Sequence, residues 1–134
     1  MHIHHIAIAV KDLDEALEFY HDALGATVSE RHAVPAEGVE IAFLPLGEIK
    51  IELLQPLDPN NGIGRFIEKR GEGIHHFCVQ VEDIAATVAQ LQTAGARLAT
   101  EIRDHPDGTR YAFVHPKSTH GVLLELYQPP DLKS

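Results

Sequence analysis

The chain has 134 residues, of which 44% are apolar and 23% are charged, and this composition is typical of one globular domain with its own core. A single cysteine, Cys78, excludes an intrachain disulfide framework, and no apolar run is long enough to cross a bilayer. The formal net charge of −9 argues against a nucleic acid or an anionic membrane as partner. Because the start, MHIHHIAIAVKDLDEA, lacks the features of a secretory signal, we expect a cytoplasmic protein.

The first predicted elements are a strand and a helix. Side chains alternate between the two faces of a strand, so His5 is expected on the face opposite Ile6, Ile8 and Val10. The apolar face should pack on the following helix, for which Asp12 is the expected N-cap. A helical period predicts that the apolar stripe of this helix is formed by Leu13, Ala16, Leu17, Tyr20 and Leu24. The face that carries the histidine is otherwise lined by small residues, which is typical of a sheet that curves around a cavity.

Three further strands are predicted from ATVSERHAV and GVEIAFLPLGEIKIELLQP, the last two joined by a tight turn at Gly47-Glu48. In the last of these strands Ile51 and Leu53 occupy the face opposite Glu52. Glu52 is therefore expected on the same face of the sheet as the histidine of the first strand.

The second half of the sequence repeats the first. HIAIAVKDLDEAL (residues 5–17) aligns with HFCVQVEDIAATV (residues 76–88), and IKIELLQP (49–56) aligns with VLLELYQP (122–129). ARLATEI, RYAFVHP and GVLLELYQ predict the remaining strands, and the joining segment 58–73 predicts a short helix around Phe66. We thus predict one domain over 1–134, with β-α-β-β-β modules at about 1–57 and 74–130.

A metal site follows if both modules turn their histidine-bearing faces inward, because four side chains would then converge: His5, Glu52, His76 and Glu125. Two imidazoles and two carboxylates form a mixed nitrogen and oxygen site for one divalent transition metal. Taken singly, each of these residues is ordinary, since a strand glutamate usually faces water and a strand histidine is usually a core or surface group. The recurrence of both residue types at matched positions favours the metal site.

Over nearly its whole length the sequence resembles the vicinal-oxygen-chelate superfamily, and most of all the methylmalonyl-CoA epimerases, in HIAIAVKDLDEALEFY, AFLPLGEIKIELLQPL, GEGIHHFCVQVEDI and FVHPKSTHGVLLEL. The resemblance implies an α+β, glyoxalase-like fold in which two tandem β-α-β-β-β modules form a cupped, incomplete eight-stranded barrel around one divalent metal ion. It assigns the ligand role to His5, Glu52, His76 and Glu125. Co²⁺ is the first expectation, with Zn²⁺, Mn²⁺, Ni²⁺ or Mg²⁺ as alternatives.

The resemblance also implies a reaction, the interconversion of (2R)- and (2S)-methylmalonyl-CoA by abstraction of the C2 proton through a metal-stabilised enolate. It makes Glu125 a catalytic base as well as a ligand. The family's second acid/base lies one strand before Glu52, where gapless alignment places Ile41 and leaves Glu40 one residue early. If Gly47-Glu48 is a two-residue turn, Glu40 points away from the cavity. Glu40 is kept as a catalytic candidate that requires a bulge, with Glu52 or a bound water as alternatives.

Two other functions stay open from the sequence. A glyoxalase I-type lyase acting on a glutathione hemithioacetal can share the same four ligands, and a small-molecule-binding resistance protein of the same fold needs no metal. The expected partners are an acyl-CoA substrate and a second copy of the chain in a homodimer, with no nucleic acid and no membrane.

Overall fold

A computed structural model describes residues 1–130 and shows an α+β protein, so the expected class is confirmed. The order β-α-β-β-β occurs twice, with one helix between the two copies. The end of the domain predicted over 1–134 lies outside the described residues. None of the helices in the described range is long and apolar enough to span a membrane. The elements are β1 (His2–Ala9), α1 (Leu13–Leu17), β2 (Glu30–Val34), β3 (Val39–Leu46), β4 (Ile49–Pro56), α2 (Gly62–Arg70), β5 (Gly73–Gln80), α3 (Ile84–Thr93), β6 (Arg103–Asp104), β7 (Arg110–Val114) and β8 (Leu124–Gln128).

The chain divides into two compact units. The first unit is residues 5–75, and the second unit is residues 1–4 together with the chain from His76 onward. Strand order is β2-β3-β4-β1 in the first unit and β5-β8-β7-β6 in the second. β1 pairs parallel with β4, and β5 pairs parallel with β8. Each unit therefore places the strand that carries its histidine directly beside the strand that carries its glutamate.

One face of each sheet packs on its own helix. In the first unit Leu13 of α1 is fully buried in a cluster with Leu44 and Leu53, and in the second unit Ile84 of α3 is fully buried in a cluster with Leu126. Each such side chain contributes about 1.5–3 kcal/mol to folding through the apolar surface it removes from water. The helix-packed faces are those predicted from strand alternation, so the opposite face of β1 and β5 carries the histidines.

The starts of α1 and α3 are each held by two side-chain acceptors. Asp12 is the N-cap of α1 and accepts a hydrogen bond of 3.0 Å from the backbone N–H of Glu15, as predicted for a capping residue. The N–H of Leu13 donates to Gln55 Oε1 in β4 at 2.7 Å. Gln55, which precedes Pro56 at the end of IKIELLQP, thus links β4, the strand that carries Glu52, to the start of α1. The second unit repeats both bonds, from Ala86 to Asp83 at 3.0 Å and from Ile84 to Gln128 at 2.8 Å.

The apolar stripe expected from a regular first helix is wrong at its end. Tyr20 packs on the core, but Leu24 is 55% exposed. Residues Glu18–Ala23 form a π-helical turn, in which the N–H of Leu24 donates to the carbonyl of Phe19 five residues earlier. Such a turn holds more than 3.6 residues, so it rotates Leu24 away from the face that a 3.6-residue period predicts.

The strand predicted over ARLATEI is also wrong, since β6 forms only at Arg103–Asp104. The N–H groups of Ala99 and Thr100 both donate to the carbonyl of Phe113, and Thr100 Oγ1 accepts from the N–H of Phe113 at 3.0 Å. A side-chain oxygen here takes the place of a main-chain carbonyl. A regular ladder cannot form around it, because the side chain competes for the same backbone groups.

The joining segment is anchored within the first unit and contains α2, which confirms the helix predicted around Phe66. Asn61 caps α2 by accepting from the N–H of Gly64 at 2.9 Å, and it donates to the carbonyl of Gly38 at 2.7 Å. A Cβ atom at position 64 would overlap the backbone carbonyl of Pro59. Only glycine fits at Gly64, because the backbone of Pro59 occupies the space that a side chain would need.

Replacing Gln128 by leucine should lower the free energy of unfolding by about 1–3 kcal/mol, because the N–H of Ile84 loses its partly buried acceptor while the side-chain volume is kept. Urea denaturation followed by circular dichroism measures this change. Gln90→Leu, on the exposed side of α3, serves as the control and should have little effect. Equal destabilisation by the two variants would contradict the capping role.

Candidate metal centre

The position of Glu52 is set by the hairpin of β3 and β4. The predicted two-residue turn at Gly47-Glu48 is present, and Gly47 has φ +65°, which fits a type II′ turn. This turn pairs Phe43 with Glu52. Directly paired residues lie on the same face of a sheet, so Glu52 and Phe43 are neighbours there.

The first unit brings His5 and Glu52 together. Parallel pairing of β1 and β4 places Ala7 opposite Glu52 and His5 opposite Lys50. His5 Nε2 lies 3.4 Å from Glu52 Oε1, and the two side chains are 7% and 13% exposed. Because Ala7, the cross-strand neighbour of Glu52, has a small side chain, there is room for the imidazole of His5 to turn toward the carboxylate of Glu52.

The second unit brings His76 and Glu125 together in the same way. β5 and β8 are parallel, with Cys78 opposite Glu125. His76 Nε2 lies 3.2 Å from Glu125 Oε1, and the side chains are 7% and 14% exposed. Cys78 is fully buried at the position that corresponds to Ala7 in the first copy. The repeat therefore preserves the donor atoms, their separation and their burial.

Each histidine also contacts a phenylalanine at a large interplanar angle. The rings of His5 and Phe43 have centroids 5.9 Å apart at 77°, and those of His76 and Phe113 have centroids 5.4 Å apart at 87°. Phe113 is the cross-strand partner of Glu125, as Phe43 is of the glutamate in the first unit. One aromatic ring thus lies beside both members of each His–Glu pair.

Sequence reasoning predicted the pairing of Phe43 with Glu52 for a two-residue turn, which is confirmed, but it assigned neither phenylalanine a role in the site. The signal that could have found them is an Ala-Phe dipeptide that occurs once in each module, at Ala42-Phe43 and at Ala112-Phe113. The alanines of both dipeptides are fully buried on the helix-packed face. By strand alternation the phenylalanine that follows each alanine must face the other way, toward the histidine.

The donor atoms fit a divalent metal ion. Imidazole nitrogen and carboxylate oxygen are common ligands of transition metals, and two such atoms each about 2.1 Å from one ion lie about 3 Å apart. The Nε2–Oε1 distances of 3.4 and 3.2 Å agree with that separation. By residue type and burial, His5, Glu52 and His76 are potential metal-binding residues. This donor set does not select one ion among Co²⁺, Zn²⁺, Mn²⁺ and Ni²⁺.

Glu40 does not join Glu52, because it lies one residue off the register that would place both on one face. β3 has no bulge between Glu40 and Phe43 in its pairing with β4. Glu40 Oε1 instead lies 3.0 Å from Arg31 Nε, and Arg31 Nη1 lies 2.7 Å from Asp14 Oδ1. Hydrogen bonds to Asp14 and then to Glu40 raise the pKa of Arg31. The placement is the one expected for a two-residue turn, and it argues against Glu40 as the second acid/base.

The chain is similar in sequence to known proteins over most of its length. Residues 4–113 match the Glyoxalase/Bleomycin resistance protein/Dioxygenase superfamily. The chain is 43% identical over 129 residues to ethylmalonyl-CoA/methylmalonyl-CoA epimerase from Cereibacter sphaeroides, covering 94% of this chain and 96% of that protein. The match supports the resemblance inferred from the sequence motifs.

Two solved structures extend the comparison. Methylmalonyl-CoA epimerase from Mycobacterium tuberculosis has a TM-score of 0.86 at 38% identity, covering 96% of this chain and 87% of that one. A variant of the Streptomyces coelicolor methylmalonyl-CoA epimerase, in complex with 2-nitronate-propionyl-CoA, has a TM-score of 0.88 at 34% identity, covering 100% and 98%. These likenesses confirm the expected glyoxalase-like fold. The chain belongs to the glyoxalase/bleomycin resistance protein/dioxygenase superfamily and, within it, to the methylmalonyl-CoA epimerase family.

Proposed function

We propose that this chain interconverts (2R)- and (2S)-methylmalonyl-CoA. The observation that carries the proposal is the pair of buried His–Glu arrangements, built on matched strands in a member of the epimerase family. The acyl-CoA compound bound by the Streptomyces coelicolor relative supports an acyl-CoA as the class of substrate. A homodimer and a cytoplasmic location, both expected from the sequence, remain part of this proposal.

We further propose that His5, Glu52, His76 and Glu125 hold one divalent ion per chain, with Co²⁺ as the first expectation. Burying a carboxylate is costly unless a positive charge or hydrogen bonds compensate, and an ion shared with imidazole nitrogen supplies such compensation. When bound, the ion would supply positive charge beside the substrate oxygens on which negative charge develops. The two glutamates would partly neutralise the positive charge of the bound ion. Because both glutamate side chains are largely buried, little water would screen the remaining positive charge.

The proton on C2 of the substrate is acidic because a thioester and a carboxylate flank that carbon. We assign its removal to the carboxylate of Glu125, which lies on β8 beside His76. A proton must then return to the opposite face of the planar carbon. Since Glu40 is bound to Arg31 on the other side of its sheet, Glu52 and a water molecule are the remaining candidates named from the sequence.

The proposed centre predicts one tightly bound divalent ion per chain after chelation and reloading, measured by inductively coupled plasma mass spectrometry. His5→Ala and His76→Ala should each weaken binding of that ion by about 100-fold, since even outer-shell changes cost 10–100-fold. His32→Ala is the control, because His32 lies 3.9 Å from Glu30 in an exposed pair and should leave binding unchanged. Two ions per chain, or half a load in each ligand variant, would instead show a separate site in each unit.

The proposed base predicts deuterium uptake at C2 of methylmalonyl-CoA in D₂O by the metal-loaded protein. Glu125→Gln should slow uptake by about 10²–10⁴-fold, the usual contribution of a general base, and its metal content should be measured alongside. Glu40→Gln should stay within a few-fold of the unchanged protein, because its carboxylate lies on the other face. Rapid uptake by Glu125→Gln would contradict the assignment. If no ion supports uptake by the unchanged protein, the glutathione hemithioacetal is the next substrate to test.

The aromatic contacts predict a role for Phe43 and Phe113 in metal affinity. Replacing either by leucine removes a rigid ring from beside the histidine, so the dissociation constant for Co²⁺ should rise about tenfold. Phe66→Leu is the matched control, because its ring contacts His75, outside the ligand set, at 4.9 Å and 75°. Titration followed by the visible absorption of Co²⁺ measures the effect, and equal affinities in all three variants would contradict it.

A further inference from the structure

Lys50 is a cation on the ligand-bearing face of the first unit. It precedes Glu52 by two residues in β4, so the two side chains share a face about 7 Å apart along the strand. It is also the parallel cross-strand partner of His5. The Lys50 ammonium lies 5.4 Å from the centre of the Phe43 ring. The ring that contacts the histidine therefore also supports the lysine, through a cation–π interaction.

The charge on Lys50 has no carboxylate partner among residues 1–130, in which it forms no ion pair. Two strand arginines differ from it in this respect, because Arg31 pairs with Glu40 and Arg110 pairs with Asp104, each at 3.0 Å. The chain carries 20 acidic against 11 basic residues, so acidic partners are abundant. A half-buried ammonium beside a ligand pair is suited to an anion that arrives with the substrate.

The second unit has no equivalent charge. In the alignment of IKIELLQP with VLLELYQP, the residue at the position of Lys50 is Leu123. The glutamate two residues later is kept in both copies, so the lysine is not required for placing that glutamate. The first unit is therefore the one that offers a positive charge to an anionic group.

We propose that Lys50 binds the free carboxylate of a 2-substituted malonyl thioester and selects such acids over simple acyl thioesters. This inference rests on the proposed function and names the residue that recognises the acid group. The carboxylate is attached to the reacting carbon, whereas the phosphates lie at the far end of the pantetheine arm. Lys50 is only two residues from Glu52 on the same face of β4, so it lies near the proposed reaction site, where the substrate's carboxylate would also lie. Its positive charge also favours the additional negative charge that forms when the C2 proton leaves.

The test compares two ligands that differ only in the carboxylate, malonyl-CoA and propionyl-CoA, by calorimetric titration of the metal-loaded protein. Lys50→Met should lower the preference for malonyl-CoA about tenfold, as expected for loss of a hydrogen bond to a charged group. Lys50→Arg should keep most of the preference, because it retains the charge. Lys69→Met, an exposed change on α2, is the control and should leave the preference unchanged.

Two results would overturn the inference. Equal weakening of both ligands by Lys50→Met would place the lysine against the CoA phosphates, and an unchanged preference would leave it no role in binding. Deuterium uptake from methylmalonyl-CoA by the unchanged protein, measured on the same preparation, tests the proposed function separately. Uptake together with an unchanged preference in Lys50→Met would therefore reject only the role of Lys50.

Discussion

The parallel pairing of a histidine strand with a glutamate strand is the constraint on which each half of the candidate centre depends. In the first unit this pairing places His5 Nε2 at 3.4 Å from Glu52 Oε1. Alternation along a strand has a period of two, so a slip of one residue would send Glu52 to the helix-packed face, where Leu53 is now fully buried. Burying the carboxylate of Glu52 among these apolar side chains would be unfavourable in free energy. The slipped pairing is therefore less stable than the pairing that places His5 beside Glu52.

The side chains packed around each His–Glu pair limit how its imidazole ring can move. Ala7 and Cys78, opposite the glutamates, are fully buried and small, whereas the phenylalanines beside the glutamates are large and only half-buried. The small residues leave space for the imidazoles to approach the carboxylates. The large ones restrict rotation of the imidazole rings and exclude water from one side. Size as well as charge is thus repeated between the two units.

Much of this arrangement could be predicted from the sequence, because the signals were local and repeated. Strand alternation assigned His5 and Glu52 to one face, and the turn at Gly47-Glu48 placed Glu40 on the other. The exposure of Leu24 was missed, since a π-helical turn leaves no distinct pattern in composition. The irregular pairing before β6 was missed because it depends on one hydroxyl group, that of Thr100, meeting a neighbouring strand.

The contacts of the joining segment could not be predicted from the sequence. A hydrogen bond between residues far apart in the chain, such as that from the Asn61 side chain to the carbonyl of Gly38, leaves no periodic pattern in the sequence. The helix itself was predictable because apolar residues recur there between turn residues. Its attachment became clear only from the folded chain.

That attachment bears on the order in which the protein is completed during synthesis. The bonds of Asn61 to Gly38 and to Gly64, and that of Leu57 to Gly38, all join residues that leave the ribosome before β5. The first unit can therefore bury its core and secure α2 while the second is still being translated. Both members of the His5–Glu52 pair are then already present, so this pair can form before the strands that carry His76 and Glu125 are complete.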